Sequence, residues 1–401
     1  MMSVPPHESA GGPLRVAIVA HFAYGAMTGG TSGHIGGVEK QTSMMARWLA
    51  SRGHEVSLLT WDEGQPDGLL IDGVRVLKMC GRNEGVPGVR FVTPRWTSLN
   101  AALSRADADV YYQNCGEYVT GQVGLWCRLH RRAFVYSAAS DADCDGDLPL
   151  MPERRVRAFY RLGVRLADRV IVQTRRQHHM FERGFGRDAT VVPLPCAPPA
   201  ARRALLDGEG GATIAWIGRI CEVKRPDRLL EVAALLPEYR FLLVGPDDDR
   251  PEYTGQIRKR AAALSNVVVT GAAKPEDVAR LLDASACLCC TSDHEGFPNT
   301  FLEAWSHGRP IISTWDPDDL IAVHGLGAVA ERTPAAVAAA IRRLLSSPAD
   351  WQRASKNATR YFDDTHAVDR VMPRFEEVFR EAAVERGIRS SDRSQILRVA
   401  G

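Results

Sequence analysis

One feature constrains this chain more than any other. Short runs of β-branched and aromatic residues alternate with amphipathic stretches of helical spacing, and the alternation occurs twice. In the first half the runs are Val16–Ala20, Val56–Trp61, Val74–Met79, Val110–Gln113, Ala133–Ser137, Val170–Gln173 and Thr190–Leu194. Helical patterns lie at about 38–52, 118–131, 153–168 and 175–184. Such alternation means βαβ units and a largely parallel sheet. The segment PLPCAPPA (193–200) then interrupts, since four prolines in eight residues continue neither a helix nor a central strand. It reads as a linker. Beyond it strands are expected at Thr213–Ile217, Phe241–Gly245, Val267–Thr270, Cys287–Thr291 and Pro310–Ser313. Helices are expected at about 226–236, 254–264, 275–284, 299–307 and 334–345. The economical reading is two doubly wound α/β domains, which bind ligands at the carboxyl ends of their strands. A last helix, Ala367–Arg386, carries Val368, Val371, Met372, Phe375, Val378 and Phe379 on one face and needs a surface to pack against.

Composition narrows the function classes. With 45% hydrophobic and 24% charged residues among 401, the chain is neither disordered nor collagenous nor a coiled coil. No stretch approaches the ~18–20 consecutive apolar residues of a membrane helix. The opening MMSVPPHESAGGPLR lacks the apolar core of a secretory signal, so a cytoplasmic location is expected. Fifty basic and 48 acidic side chains leave a net charge of +2, too balanced for nucleic acid. Residues 1–200 carry 23 basic and 19 acidic groups, so the excess lies in the first half. Nine cysteines without paired spacing read as reduced, buried thiols.

Three segments could carry chemistry. The loop AHFAYGAMTGGTSGHIGGVEKQ places Gly29, Gly30, Gly33, Gly36 and Gly37 between a strand and a helix, where backbone N–H groups can meet an anion. In WIGRICEVKRPDRLLEVA, Gly218 and Arg219 leave a strand end and Lys224 follows five residues later. Two cations leaving one strand end can converge on a diphosphate. In TSDHEGFPNTFLEAWSHGRPII, a GFPN turn leads into a helix near Asn299, whose free N–H groups could meet a phosphate. Glu295 and Glu303 are eight residues apart, a spacing that lets both face one ligand and hold sugar hydroxyls.

Taken in order, these residues resemble a known family. EGFPNTFLEA resembles the Glu-x7-Glu signature of retaining glycosyltransferases of the GT-B fold, family four (glycosyl transferases group 1). Gly218, Arg219 and Lys224 resemble its diphosphate motif, and GGVEKQ (36–41) its amino-terminal glycine loop. RLADRVIVQT (165–174) with TVVPLP (190–195) resembles the end of its first domain. The resemblance implies two Rossmann-like domains facing a cleft. The boundaries are a leader at 1–13, an acceptor-side domain at 14–198 joined by the crossing helix 367–386, a donor-binding domain at 199–366 and a mobile tail at 387–401. It implies a nucleoside diphosphate sugar as donor substrate, no metal or other cofactor, and front-side attack with retention. The acceptor would be a glycan or lipid-linked sugar of cell-surface polysaccharide or glycolipid synthesis. Arg219 and Lys224 would neutralise the diphosphate, and Glu303 would bind the ribose. Glu295, with Gly296, Phe297, Pro298, Asn299 and Thr300, would hold the donor. Gly36, Gly37 and Gly218 would let backbone approach the phosphates. Two departures stand out. Where the family carries a His after its strand, this chain reads YSAASDADCDGD (136–147), which leaves Ser140 or Asp141 to touch the sugar. The Asn-Gly usual after VVP is replaced by LPCAPP. The alternatives are a nucleotide-sugar epimerase on the same scaffold and a non-catalytic sugar-nucleotide-binding subunit.

Other signals are weaker. Cys287, Cys289 and Cys290 lie within a strand and lack ligand spacing, so they read as buried thiols. His178 and His179 diverge by ~100° on a helix, which argues against a metal. GLGAVA (325–330) lacks the strand-before, helix-after context of a dinucleotide motif and reads as a turn into a short strand. Six arginines between 152 and 169 alternate with apolar residues. Such a helix can lie on anionic lipid, which would place the protein peripherally on the inner face of a membrane. The same apolar residues also fit packing against a sheet.

Overall fold

The computed structural model describes residues 12–29, 36–202, 212–248 and 250–388. Most of the expected leader and tail, and Gly30 and Gly33, lie outside the described residues. The chain forms two compact units. The first takes the chain up to Gln173, then Gln177–Val192 and everything from Met372 onward; the second takes Thr174–Arg176 and Pro193–Val371.

The first unit holds eight strands: β1 (Arg15–Val19), β2 (Glu55–Asp62), β3 (Leu69–Ile71), β4 (Val74–Gly81), β5 (Val110–Asn114), β6 (Ala133–Ser137), β7 (Arg169–Val172) and β8 (Thr190–Val191). Their order is β3-β4-β2-β1-β5-β6-β7-β8. All neighbours are parallel except β3, which folds back on β4. β3 was not expected from the sequence, because LLI is short and half exposed. β8 stops at Val191 and not at the expected Leu194, since Pro193 has no N–H to give a ladder. The final helix, Val368–Glu385, carries its apolar face to this sheet, with Phe379 5.4 Å from the Tyr112 ring. Arg169 bonds Glu381 and Glu385 on it.

The arginine-rich helix runs Arg154–Leu166. Its Gly163 packs so tightly on the helix Tyr118–Leu129 that a Cβ there would lie 2.4 Å from the Thr120 carbonyl. Tyr160 and Val164 are buried in the core, so its apolar residues are used in packing. Arg154, Arg155, Arg161 and Arg165 remain exposed.

The second unit is a six-stranded parallel sheet: β9 (Thr213–Ile217), β10 (Arg240–Val244), β11 (Val267–Gly271), β12 (Cys287–Cys290), β13 (Ile311–Ser313) and β14 (Gly327–Val329). Its order is β11-β10-β9-β12-β13-β14. GLGAVA forms a turn and β14, with no dinucleotide motif. Cys287, Cys289 and Cys290 are buried in β12, where burial pushes the Cys287 thiol up to about 12. All nine cysteines are free. PLPCAPPA does not hang free: Cys196 and Ala367 form a parallel bridge. A helix at Pro348–Thr365 was not expected. Its buried positions are Ala354, Ala358 and Phe362, and two alanines give little apolar signal.

Candidate functional site

β9 ends at Ile217, and Gly218 and Arg219 follow at its carboxyl end. Here the backbones of two strands nearly touch. Gly245, after β10, has φ +147°, and a Cβ on it would sit 1.9 Å from the Gly218 carbonyl oxygen. Only glycine fits that contact. Its role was not read from the sequence, although VGP directly after an apolar run was a usable signal.

Lys224 closes a short 3-10 turn, Glu222–Lys224. Its ammonium is bound to Glu295, whose Oε1 also accepts from the Ser292 hydroxyl at 2.6 Å. The turn is fixed from behind. The Thr291 hydroxyl lies 3.0 and 2.8 Å from the carbonyls of Lys224 and Arg225, and accepts from the Trp216 indole at 2.9 Å. Arg225 sits in the left-handed region at φ 53°. It bonds Asp293 at 3.0 Å, and the buried Arg228 bonds the same carboxylate at 2.7 Å. Burial alone would raise the Asp293 carboxyl; the hydrogen bonds from Arg228 and Arg225 outweigh it and hold it below its ordinary value. A rigid ion network therefore positions the loop that carries Glu295. Neither Ser292 nor this network was legible in the sequence.

Arg219 is half exposed, 3.9 Å from Asp248. Arg219 and Lys224 thus leave one strand end, as expected, and each faces a carboxylate of its own. The helix after the GFPN turn spans Asn299–Ser306, with no side-chain cap at Pro298, so its first N–H groups lack an intrahelical partner. Asn299 is exposed and Thr300 half buried beside it. The Phe297 ring is buried 5.3 Å from His366 and 6.3 Å from Trp305, so its backbone is the part that a donor can meet. Glu295 precedes the helix, as the expected start near Asn299 implied, and is held by Lys224 and Ser292. Glu303 lines a cavity of about 410 Å³ with Cys196, Pro275, Val278 and His307, whose walls include neither Lys224 nor Glu295.

In the first unit, Gly36 caps and Gly37 begins the helix Gly37–Ser51, and the Gly36 N–H donates to Glu39 Oε2 at 2.9 Å. They line a cavity at the carboxyl ends of β1 and β5. The loop after β6 turns inward. Asp143 accepts from the Ala139 and Ser140 N–H groups, and burial raises its carboxyl to about 6. Asp141 is buried and accepts from Gln177 at 3.2 Å. Ser140 and Asp141 are thus held by their own loop and its neighbour. Among the described residues, the acidic run 141–147 gathers no group of three metal ligands. His178, His179 and Glu182 do, with ligand atoms within 4.8 Å of one another, against the expectation from their helical angle. His178 also bonds Asp188 at 2.9 Å.

Two family models match, glycosyl transferases group 1 over residues 211–347 and glycosyl transferase 4-like domain over 36–197. Together they cover well over half of the chain. The chain belongs to the group 1 glycosyltransferases. Its two α/β units with parallel sheets are those of the GT-B fold, and it is a transferase enzyme. It is similar to a D-inositol 3-phosphate glycosyltransferase from Mycobacterium sp. (strain JLS), 26% identical over 93% of this chain and 86% of that one. Among solved structures, a sucrose-phosphate synthase from Thermosynechococcus elongatus superposes with a TM-score of 0.73 at 19% identity, covering 91% of this chain and 98% of that one. Anabaena HepE in complex with UDP and glucose gives a TM-score of 0.72 at 15% identity, covering 91% of this chain and 99% of that one. Among the described residues, no helix is long and apolar enough to cross a membrane.

Proposed function

We propose that this glycosyltransferase moves a sugar from a nucleoside diphosphate sugar to an acceptor hydroxyl with retention and without a metal. The acceptor is a glycan or lipid-linked sugar of the cell surface. The observation that carries the reading is the Lys224–Glu295 pair, fixed by Ser292 at the strand end that also carries Arg219. As the bond from the anomeric carbon to the diphosphate oxygen breaks, negative charge grows on the leaving group. Lys224, Arg219 and the first N–H groups of the Asn299–Ser306 helix stabilise it without reorganising. Glu295 is engaged by Lys224 and Ser292, which disfavours it as a free nucleophile and favours front-side attack. The acceptor proton then passes to the leaving phosphate. The solved structure holding UDP and glucose makes UDP-sugars the first donors to try, and the mycobacterial relative's name adds D-inositol 3-phosphate as a comparison acceptor outside the glycan class.

The test is turnover of a UDP- and GDP-sugar panel by the purified chain, with the product anomer read by NMR and excess EDTA in a parallel arm. Retention and EDTA-resistant turnover are expected. An inverted product, or loss restored by magnesium or manganese, refutes the corresponding part.

A further inference from the structure

The helix that follows β7, Arg175–Phe185, is anchored by one face. Phe181 is fully buried and lies 4.7 Å from the Phe185 ring, which meets Tyr160 at 5.8 Å. The adjoining face carries His178, which is half-buried, and His179 and Glu182, which are exposed. Adjacent histidines point ~100° apart, but Glu182, one turn on, falls ~40° from His178 and ~60° from His179. It therefore lies between them. The ligand atoms of all three come within 4.8 Å of one another, with 5.5 Å between the imidazole centroids. The turn after the helix adds a fourth group. Asp188 Oδ1 accepts from His178 Nε2 at 2.9 Å and from the Ala189 N–H at 2.9 Å. An ionised carboxylate can only accept, so Nε2 carries the imidazole proton and Nδ1 keeps the lone pair that a metal needs. A ligating histidine that passes its other N–H to a carboxylate is held in one tautomer and one ring orientation. All four residues belong to the first unit.

We infer that His178, His179 and Glu182 form a surface site for one divalent transition-metal ion of the Zn2+ class, with Asp188 as the partner that orients His178. The inference lies outside the glycosyltransferase reading and does not depend on it. Two imidazoles and one carboxylate suit Zn2+ and its neighbours in the first transition row, whereas Mg2+ and Ca2+ take shells of oxygen. Three protein ligands leave the fourth position of a tetrahedral ion to water. Zinc bonds of ~2.0–2.2 Å hold tetrahedral ligand atoms ~3.3–3.6 Å apart, a distance that side chains this exposed reach by χ rotation. Arg183, one turn beyond His179, is exposed and opposes a cation; the carboxylates of Glu182 and Asp188 offset it. A bound ion ties the helix, through Asp188, to the turn that leads into β8. None of these four residues takes part in the transfer chemistry assigned to Lys224, Arg219 and Glu295.

The experiment uses the full chain without a histidine tag, stripped with EDTA, freed of the chelator and kept reduced. Zinc chloride is titrated by calorimetry and cobalt chloride by visible absorption. One equivalent of zinc should bind, and zinc should raise the melting temperature, because it binds the folded state. Cobalt should give the bands of a nitrogen and oxygen site with no thiolate charge-transfer band. Magnesium chloride at the same concentration should not compete. Asp188→Asn should weaken zinc binding ~10–100-fold at unchanged stoichiometry. The double variant His178→Ala, Glu182→Gln should lose the zinc equivalent and the zinc-induced rise in melting temperature. Its metal-free melt and circular dichroism, matching those of the parent, separate lost binding from lost folding. Zinc that survives in the double variant, or a thiolate band with cobalt, places the ion on the cysteines and overturns the inference. Failure to bind one equivalent, or equal competition by magnesium, overturns it too. Undiminished affinity in Asp188→Asn overturns the part assigned to Asp188.

Discussion

Replacing Lys224 tests the site at its centre. Lys224→Met keeps the apolar stem and deletes the ammonium. Two losses follow, and they are separable. The Glu295 side chain is only 12% exposed, and without Lys224 its Oε1 keeps the Ser292 hydroxyl as donor. Leaving a buried acceptor partly unpaired costs about 1–3 kcal/mol of folding stability. The second loss is catalytic. One fixed donor removed from developing charge typically costs ~10²–10³ in rate, or about 3–4 kcal/mol of barrier. The assay is release of nucleoside diphosphate at saturating donor, alongside donor Kd by titration and stability by denaturant unfolding. The expected pattern is a large fall in kcat with a smaller change in Kd. Glu295→Gln restores part of the lost stability in the Lys224→Met background, because no buried charge is then left unpaired. The pair is therefore strongly non-additive. Near-normal turnover in Lys224→Met, or stability effects that simply add, would refute the assignment.

Three further outcomes are expected. Gly245→Ala forces a Cβ 1.9 Å from the Gly218 carbonyl oxygen at φ +147°, and should cost about 3 kcal/mol or more. An unchanged melting temperature would show that the two strand ends do not meet as described. His366 is buried among aromatic rings and its Nδ1–H donates to the Leu194 carbonyl at 2.9 Å; burial lowers its pKa from 6.5 to about 4. The folded state thus disfavours the proton, so its contribution is complete above pH 6.5 and is lost as pH falls toward 4, by about 3 kcal/mol. His366→Phe should flatten that decline in denaturant titrations at pH 7 and 4.5, and parallel curves for the two proteins would contradict it. Lastly, the exposed Arg154, Arg155, Arg161 and Arg165 should give weak binding to anionic vesicles, up to ~1 kcal/mol per nearby arginine and screened by salt. Flotation that is negligible at low and high salt alike would leave the helix with a packing role only.

What the sequence determined follows from local physics. A buried parallel strand must be a short apolar run, and the crossover that returns the chain must be an amphipathic helix. Ala133–Ser137 and Thr213–Ile217 could therefore be bounded to the residue from the sequence. The same logic placed Gly218, Arg219 and Lys224 at a strand end. It failed where the apolar signal was faint, as in Pro348–Thr365 with its alanine face, and where the span was too short, as in β3. Spacing alone also did not aim Glu295 and Glu303: Glu295 bonds Lys224 and Ser292 before the helix, while Glu303 lines another cavity.

Tertiary structure decided the rest, for one reason. The partners of the functional charges are distant in sequence, and hydrogen bonding across such separations leaves no periodic trace. Lys224 meets Glu295 71 residues away, and Trp216 locks Thr291 from 75 residues away. Gly245 is fixed by a backbone that belongs to another strand. The arginine-rich helix shows the same limit from the other side. Its charges and apolar residues could be counted in the sequence. That the apolar face is used against the Tyr118–Leu129 helix, with Gly163 pressed onto Thr120, follows only from packing two helices until their backbones touch.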